Sequence, residues 1–231
     1  MVSENISLME YSNSIKIVLV GTTHPGNIGA AARAIKTMGL INLDLVCPKE
    51  FPSNEATYRS KAAKDILEKA SVYETLLESV SDCEVVIGTS ARNRKVPWPV
   101  LNPKNASIEI NKAVKNSSKV AIVFGREDRG LTNEELGLCN LHVHIPTAEE
   151  YSSLNLAQAV QIITYEIRMS FMSKENLENN QEWDVDLATA KQTERLIEHM
   201  DELMKEVEFY DIENPRKLLM RVRRFFKRSG I

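Results

Sequence analysis

Three segments of this chain are apolar at consecutive positions rather than alternate ones: IKIVLV at Ile15–Val20, EVVIG at Glu84–Gly88 and KVAIVF at Lys119–Phe124. A strand with one wet face alternates apolar and polar side chains, so a run such as AIVF has to be covered on both faces. A glycine closes each run, and stretches with helical spacing lie between them. That pattern specifies an α/β fold, a mostly parallel sheet with helices on both faces. Leu43–Val46, stopped by Pro48, and Leu141–Ile145 complete the expected strands.

The first helix is expected from Ile28 to Met38, capped by Asn27 and ended by Gly39. Residues 54–70 hold helical stretches, Tyr73–Val80 reads as a short helix, and Ile108–Lys115 as a weak one. Thr132-Asn133-Glu134-Glu135 has the spacing of a capping box. After Ile145 a polar loop leads to Ser152-Ser153-Leu154-Asn155, where either serine can cap a long helix. That helix repeats apolar residues at Leu156, Val160, Ile163, Ile167 and Phe171. Its entry loop falls at the C-terminal edge of the sheet, where open α/β sheets hold ligands.

A polar gap at Ser173–Gln181 marks a boundary, giving a sheet domain over 1–172, a linker over 173–181 and a helical extension over 182–231. With 231 residues, 43% of them hydrophobic, the chain suits one globular domain plus an appendage. Its net charge of −3 hides a pattern. Residues 1–172 are balanced, with 18 Lys/Arg against 19 Asp/Glu; residues 173–214 carry 4 against 13; residues 215–231 carry 7 and none. The last helix holds Leu218, Leu219, Val222, Phe225 and Phe226 on one face, with the arginines and lysines mostly elsewhere. Its charge can dock an anionic partner or pair with the acidic segment before it.

Cys47, Cys83 and Cys139 are widely spaced and odd in number, which fits neither a zinc site nor a disulfide framework. They read as reduced, buried thiols of a cytosolic protein. Met1–Ser14 lacks the pattern of a secretory signal, and no apolar run approaches the roughly 18 residues that span a bilayer. The expectation is a soluble, cytoplasmic protein with no membrane contact.

Gly21–Asn27 (GTTHPGN) imitates the start of a phosphate-binding loop, but the lysine that must reach the phosphates is missing. No G-x-G-x-x-G follows a strand, so a dinucleotide site is not supported either. His24 is a general base or an incidental loop residue. Arg33 is one of few charges in an apolar helix; its guanidinium suits a phosphate or carboxylate, or else a surface salt bridge. Arg92, Arg94 and Lys95 precede Pro97-Trp98-Pro99, a set able to grip and stack on nucleic acid unless Trp98 is a core anchor. Gly125 and Gly130 flank Glu127 after the most apolar strand, where glycines admit close approach of backbone. The loops after Gly88, Phe124 and Ile145 would share one edge of a parallel sheet, and that convergence is more specific than any one loop.

Taken together, Asn27-x-Gly29-x-x-x-Arg33, Phe124-Gly125-x-Glu127-x-x-Gly130-Leu131 and Ile145-Pro146 through Ser153-Leu154-Asn155-Leu156-Ala157-x-Ala159-Val160 resemble the three motifs of the SPOUT methyltransferases. More narrowly, TTHPGNIGAAARAIKTMGL and GTSARNRKVPWP look like the TrmJ-type tRNA ribose 2'-O-methyltransferases. The match covers roughly residues 15–170. It implies a C-terminal trefoil knot in the sheet domain, a homodimer with the active site at its interface, and S-adenosylmethionine as cofactor. By the same resemblance Thr89, Ser90, Ala91, Gly125, Glu127, Gly130, Ile145, Ser152, Ser153 and Leu154 would hold the cofactor. Arg33 would be catalytic, reaching substrate bound by the partner subunit, while Asn27, Arg92, Arg94 and Asn155 would bind the tRNA. No metal is implied. The product would be 2'-O-methylcytidine or 2'-O-methyluridine at position 32 of the anticodon loop. Ribosomal RNA, another tRNA position, or a non-catalytic RNA-binding role remain the alternatives.

Overall fold

Each of the three consecutive apolar runs is a strand at the middle of one sheet. The computed structural model describes residues 8–90, 100–150, 152–173, 187–213 and 217–229. The chain opens with α1 (Leu8–Ser14), β1 (Ile15–Val20), α2 (Pro25–Thr37), β2 (Asn42–Val46) and α3 (Asn54–Ser60). A 3₁₀ turn at Lys61–Ala63 leads to α4 (Lys64–Glu68), β3 (Ser71–Tyr73), α5 (Leu76–Val80), β4 (Val85–Thr89) and β5 (Val100–Leu101). Then follow α6 (Pro103–Lys115), β6 (Val120–Phe124), α7 (Asn133–Gly137), β7 (Leu141–Val143), α8 (Leu156–Met172), α9 (Ala190–Glu206) and α10 (Leu218–Ser229).

Among the described residues the sheet has seven strands in the order β3-β2-β1-β6-β4-β7-β5, every pairing parallel. Alternate residues of the central strands enter two separate cores. Ile15, Ile17, Leu19, Val120, Ile122 and Phe124 pack on one face with residues of α2, α6 and α8 such as Ile28, Ile110 and Ile163. Val18, Val20, Ala121 and Val123 pack on the other with Leu76 and Val80 of α5 and Leu136 of α7. Helices on both faces thus follow from strands that carry buried apolar residues on both faces.

Several boundaries differ from the sequence expectation. Helix α2 begins at Pro25, not Ile28, because proline fits the first helical position, where no N–H is needed. Its N-cap is His24, which makes no side-chain cap, so Asn27 lies inside the first turn with its amide free for other work. In the Tyr73–Val80 stretch only Leu76–Val80 is helical, started by a Thr75–Glu78 capping box, while Ser71–Tyr73 is an edge strand. Helix α6 starts at Pro103, five residues before the apolar pattern, with the Asn102 side chain accepting from Asn105 N at 2.8 Å. Strand β7 stops at Val143, leaving Ile145 in the loop. Thr132 and Glu135 form the expected capping box of α7.

Cys83 and Cys139 are buried, and burial pushes both thiols up to about 12, whereas Cys47 is exposed, contrary to expectation. In α10, Phe225 is 67% exposed and Lys227 only 4%, so the packed face is not the purely apolar one expected. Apart from Ser173, the expected linker lies outside the described residues. Among the described residues no helix is long and apolar enough to cross a membrane.

Candidate active site

Strands β6, β4 and β7 are neighbours, so the loops at their C-terminal ends meet. They enclose a cavity of about 220 Å³. Thr89 and Ser90 line it from β4, the segment Phe124–Gly130 from β6, Val143 and Ile145 from β7, and Ser152, Ser153 and Leu154 from the entry to α8. The expected cofactor residues other than Ala91 come from three separate segments of the chain, 89–90, 125–130 and 145–154, and all nine line this one cavity.

Backbone pairing sets the cavity's shape. Ser90 N donates to Val143 O at 2.9 Å, and His144 Nδ1 donates to Ser90 O at 3.0 Å, so the ends of β4 and β7 are locked together. Thr89 Oγ1 donates to Val123 O at 3.0 Å, which ties β4 to β6. Beyond Gly125 the chain folds back on itself, with Arg126 and Gly130 bonded in both directions at 2.8 and 3.3 Å. A β-carbon at Gly125 would overlap the Gly130 and Leu131 backbone. Only glycine permits that approach.

Glu127 lines the cavity, and its carboxylate also reaches across to the loop after β1. Oε2 accepts from Thr23 N and Thr23 Oγ1, both at 3.0 Å; Oε1 accepts from His24 N at 3.3 Å and Asn27 Nδ2 at 2.9 Å. Burial pushes the Glu127 carboxyl up, but the bonds from Asn27 and Thr23 outweigh it and hold the group below its ordinary range. Asn27 Oδ1 in turn accepts from Asn155 Nδ2 at 3.0 Å, and Asn155 Oδ1 caps α8 by accepting from Ala157 N at 2.9 Å. The cap of α8 is therefore Asn155, not Ser152 or Ser153, and both serines line the cavity instead. One chain of hydrogen bonds joins all three motifs.

Arg33 stands elsewhere. It is exposed on α2, does not line the cavity, and forms no hydrogen bond or ion pair among the described residues. Ala91, Arg92 and Arg94 lie outside the described residues. Sequence reasoning passed over Thr23, whose backbone and hydroxyl anchor Glu127, and Arg126, whose Nη1 donates to both oxygens of Glu135 at 3.0 Å. Arg126 was visible as a charge beside Gly125, but its partner on α7 is a product of the fold. No cluster of metal-ligating side chains occurs among the described residues.

A parallel sheet whose cavity is built by these three motifs defines a methylase of the SpoU class. Residues 14–165 match the SpoU rRNA Methylase family, and the chain belongs to it. Residues 191–231 match a second model, described as tRNA methyltransferase TrmJ, C-terminal domain. The chain is 46% identical to the tRNA (cytidine/uridine/adenosine-2'-O-)-methyltransferase TrmJ of Pseudomonas aeruginosa (strain UCBPP-PA14), over 94% of this chain and 87% of that one. It is 41% identical to the tRNA (cytidine/uridine-2'-O-)-methyltransferase TrmJ of Yersinia pestis (strain Pestoides F), over 94% and 85%. The crystal structure of TrmJ from Z. mobilis ZM4 superposes with a TM-score of 0.80 at 29% identity, covering 94% of this chain and 91% of that chain. These are the TrmJ-type enzymes that the sequence motifs resemble.

Proposed function

We propose that this chain is an S-adenosylmethionine-dependent tRNA ribose 2'-O-methyltransferase that acts on cytidine or uridine at position 32 of the anticodon loop. The observation that carries the reading is the single cavity built by three motif loops and braced by the Glu127–Asn27–Asn155 chain. The tRNA 2'-O-methyltransferases among its relatives support the substrate class. The same reading takes the protein as a cytoplasmic homodimer with the family's knot, residues 1–172 as its catalytic domain and, beyond a linker at 173–181, residues 182–231 as an extension that adds RNA affinity.

The cavity suits the cofactor. Phe124, Val143, Ile145 and Leu156 give apolar walls for an adenosine, and Thr89, Ser90, Ser152 and Ser153 bring hydroxyls. The Gly125 crossing keeps backbone close where a side chain would fill the space. When bound, S-adenosylmethionine supplies a methyl group on a sulfonium, transferred by in-line displacement to an oxygen nucleophile. The protein's share of that chemistry is alignment and charge. The Arg33 guanidinium acts as a fixed positive charge, stabilising the 2'-oxyanion or orienting the adjoining phosphate. Because it stands outside its own cavity, it serves the substrate held at the partner subunit's cavity. Glu127 is occupied by four donors, which gives it the role of bracing Asn27 and α2.

Transfer of labelled methyl from S-adenosylmethionine to total tRNA, mapped by nuclease digestion and mass spectrometry, tests this directly. The expected product is a 2'-O-methylpyrimidine at position 32. Label in ribosomal RNA or at another tRNA position would overturn the substrate assignment, and cofactor binding with no transfer to any RNA would overturn the activity.

A further inference from the structure

Arg33 is exposed on α2, two turns beyond Gly26. At 100° per residue, Gly26, Gly29 and Arg33 fall on one side of the helix. Helix α3 packs against the start of that side. A β-carbon on Gly29 would overlap the Ala56 carbonyl oxygen and lie 2.9 Å from Arg59 Cβ; one on Gly26 would lie 3.7 Å from Arg59 Cγ. The stem of Arg59 is thus laid along the α2 face that carries Arg33, whose Cα is about 6 Å further along the axis from Gly29.

What α3 shows to solvent there is cationic and aromatic. Tyr58 is 68% exposed, and Lys61 Nζ sits 3.9 Å from the centre of its ring. Arg59 and Lys61 are exposed and, like Arg33, have no carboxylate partner among the described residues. The one acid of the helix, Glu55, is a turn earlier, against Gly26. An exposed tyrosine ring with cations beside it that lack carboxylate partners is the composition that grips a phosphate backbone and stacks a base.

We propose that Tyr58, Arg59 and Lys61 form a contact surface for the single-stranded RNA next to the nucleotide that Arg33 serves. The proposal rests on the tRNA methyltransferase reading above. Tyr58 stacks an unpaired base of the loop, while Arg59 and Lys61 hold the flanking phosphates, so that a flexible loop is delivered to Arg33 in one register. Unpaired loop nucleotides are the RNA that can offer both a free base face and accessible phosphates.

The test measures tRNA affinity of the full-length protein over a series of salt concentrations, for wild type, Tyr58→Ala, the double variant Arg59→Gln/Lys61→Gln, and Lys69→Gln as a cation outside the patch. S-adenosylmethionine affinity and melting temperature report folding. Tyr58→Ala is expected to weaken tRNA binding about tenfold at every salt concentration, in keeping with the loss of one stacked base. The double variant should weaken it and reduce the slope of log affinity against log salt by about 1.5. Lys69→Gln should leave that slope within error of wild type. Wild-type affinity and slope in the patch variants would overturn the proposal, as would an equal loss in Lys69→Gln, which would mean net charge alone. Should wild type itself fail to methylate tRNA, it is the proposed function that falls; should wild type methylate tRNA while the patch variants bind it normally, only the α3 surface falls.

Discussion

At the scale of single residues, the site depends on a carboxylate with no spare capacity. Two oxygens of Glu127 take four donors from Thr23, His24 and Asn27. Gln at this position keeps one oxygen acceptor but turns an NH2 toward donors, so Glu127→Gln is expected to cost about 1 to 2 kcal/mol after allowance for partial exposure. The sign of the pH effect follows from the depressed carboxyl. Its contribution is complete above the ordinary value of 4.5 and is lost as pH falls through the lower folded value. Melting temperatures of the two proteins should differ by several degrees at pH 7 and draw together at pH 3. An equal gap at both would show that the ionised carboxylate is not what matters. Glu127, Asn27 and Asn155 were each legible in sequence as motif residues, whereas their bonding to one another was not. Asn27 even reads as a helix cap, because a local rule cannot see a partner 100 residues away.

Among the elements, α10 shows how charge counted along a chain differs from charge available to a ligand. Glu194 of α9 is 5% exposed and takes Arg223 at 2.9 Å and Lys227 at 3.5 Å. Asn140, whose side chain also accepts from Val86 N at 2.7 Å, donates to Lys227 O at 3.4 Å, so the extension is tied to the sheet. Burial pushes the Lys227 ammonium down, and Glu194 opposes that shift. Glu194→Ala leaves two cations without their carboxylate, at a cost of about 3 kcal/mol borne by this interface. Hydrogen exchange should then quicken across α10 while β1 and β6 keep their protection; unchanged exchange in α10 would mean that apolar packing alone holds it. Two of the seven basic charges in residues 215–231 are thereby spent internally, and Arg221 and Arg228 stay exposed. The edge strands β3 and β5 escaped the sequence reading for a related reason: three and two residues, with Val72 and Val100 each 55% exposed, carry no burial pattern to detect.

For the whole molecule, the proposed site needs Arg33 from one subunit and a cavity from the other. Mixing two inactive variants tests this. Arg33→Ala removes the charge, and Gly125→Ala forces the crossing at Gly130 apart. Each alone should lose at least about 100-fold in turnover. Refolded together in equal amounts, half of the dimers are mixed and each mixed dimer has one complete site, so activity should recover to about a quarter of wild type. No recovery would place Arg33 and the cavity in the same subunit. What the sequence determined by itself is the alternation of elements, the two-sided burial of the central strands and the identity of the motif loops, since hydrophobic period and turn chemistry are properties of near neighbours. The tertiary structure alone decided that Glu127 meets Asn27, that Asn27 meets Asn155 across 128 residues, and that Arg33 stands outside its own cavity. Those contacts depend on the strand order β1-β6-β4-β7, which is selected by pairing and packing between distant segments and leaves no local pattern in the chain.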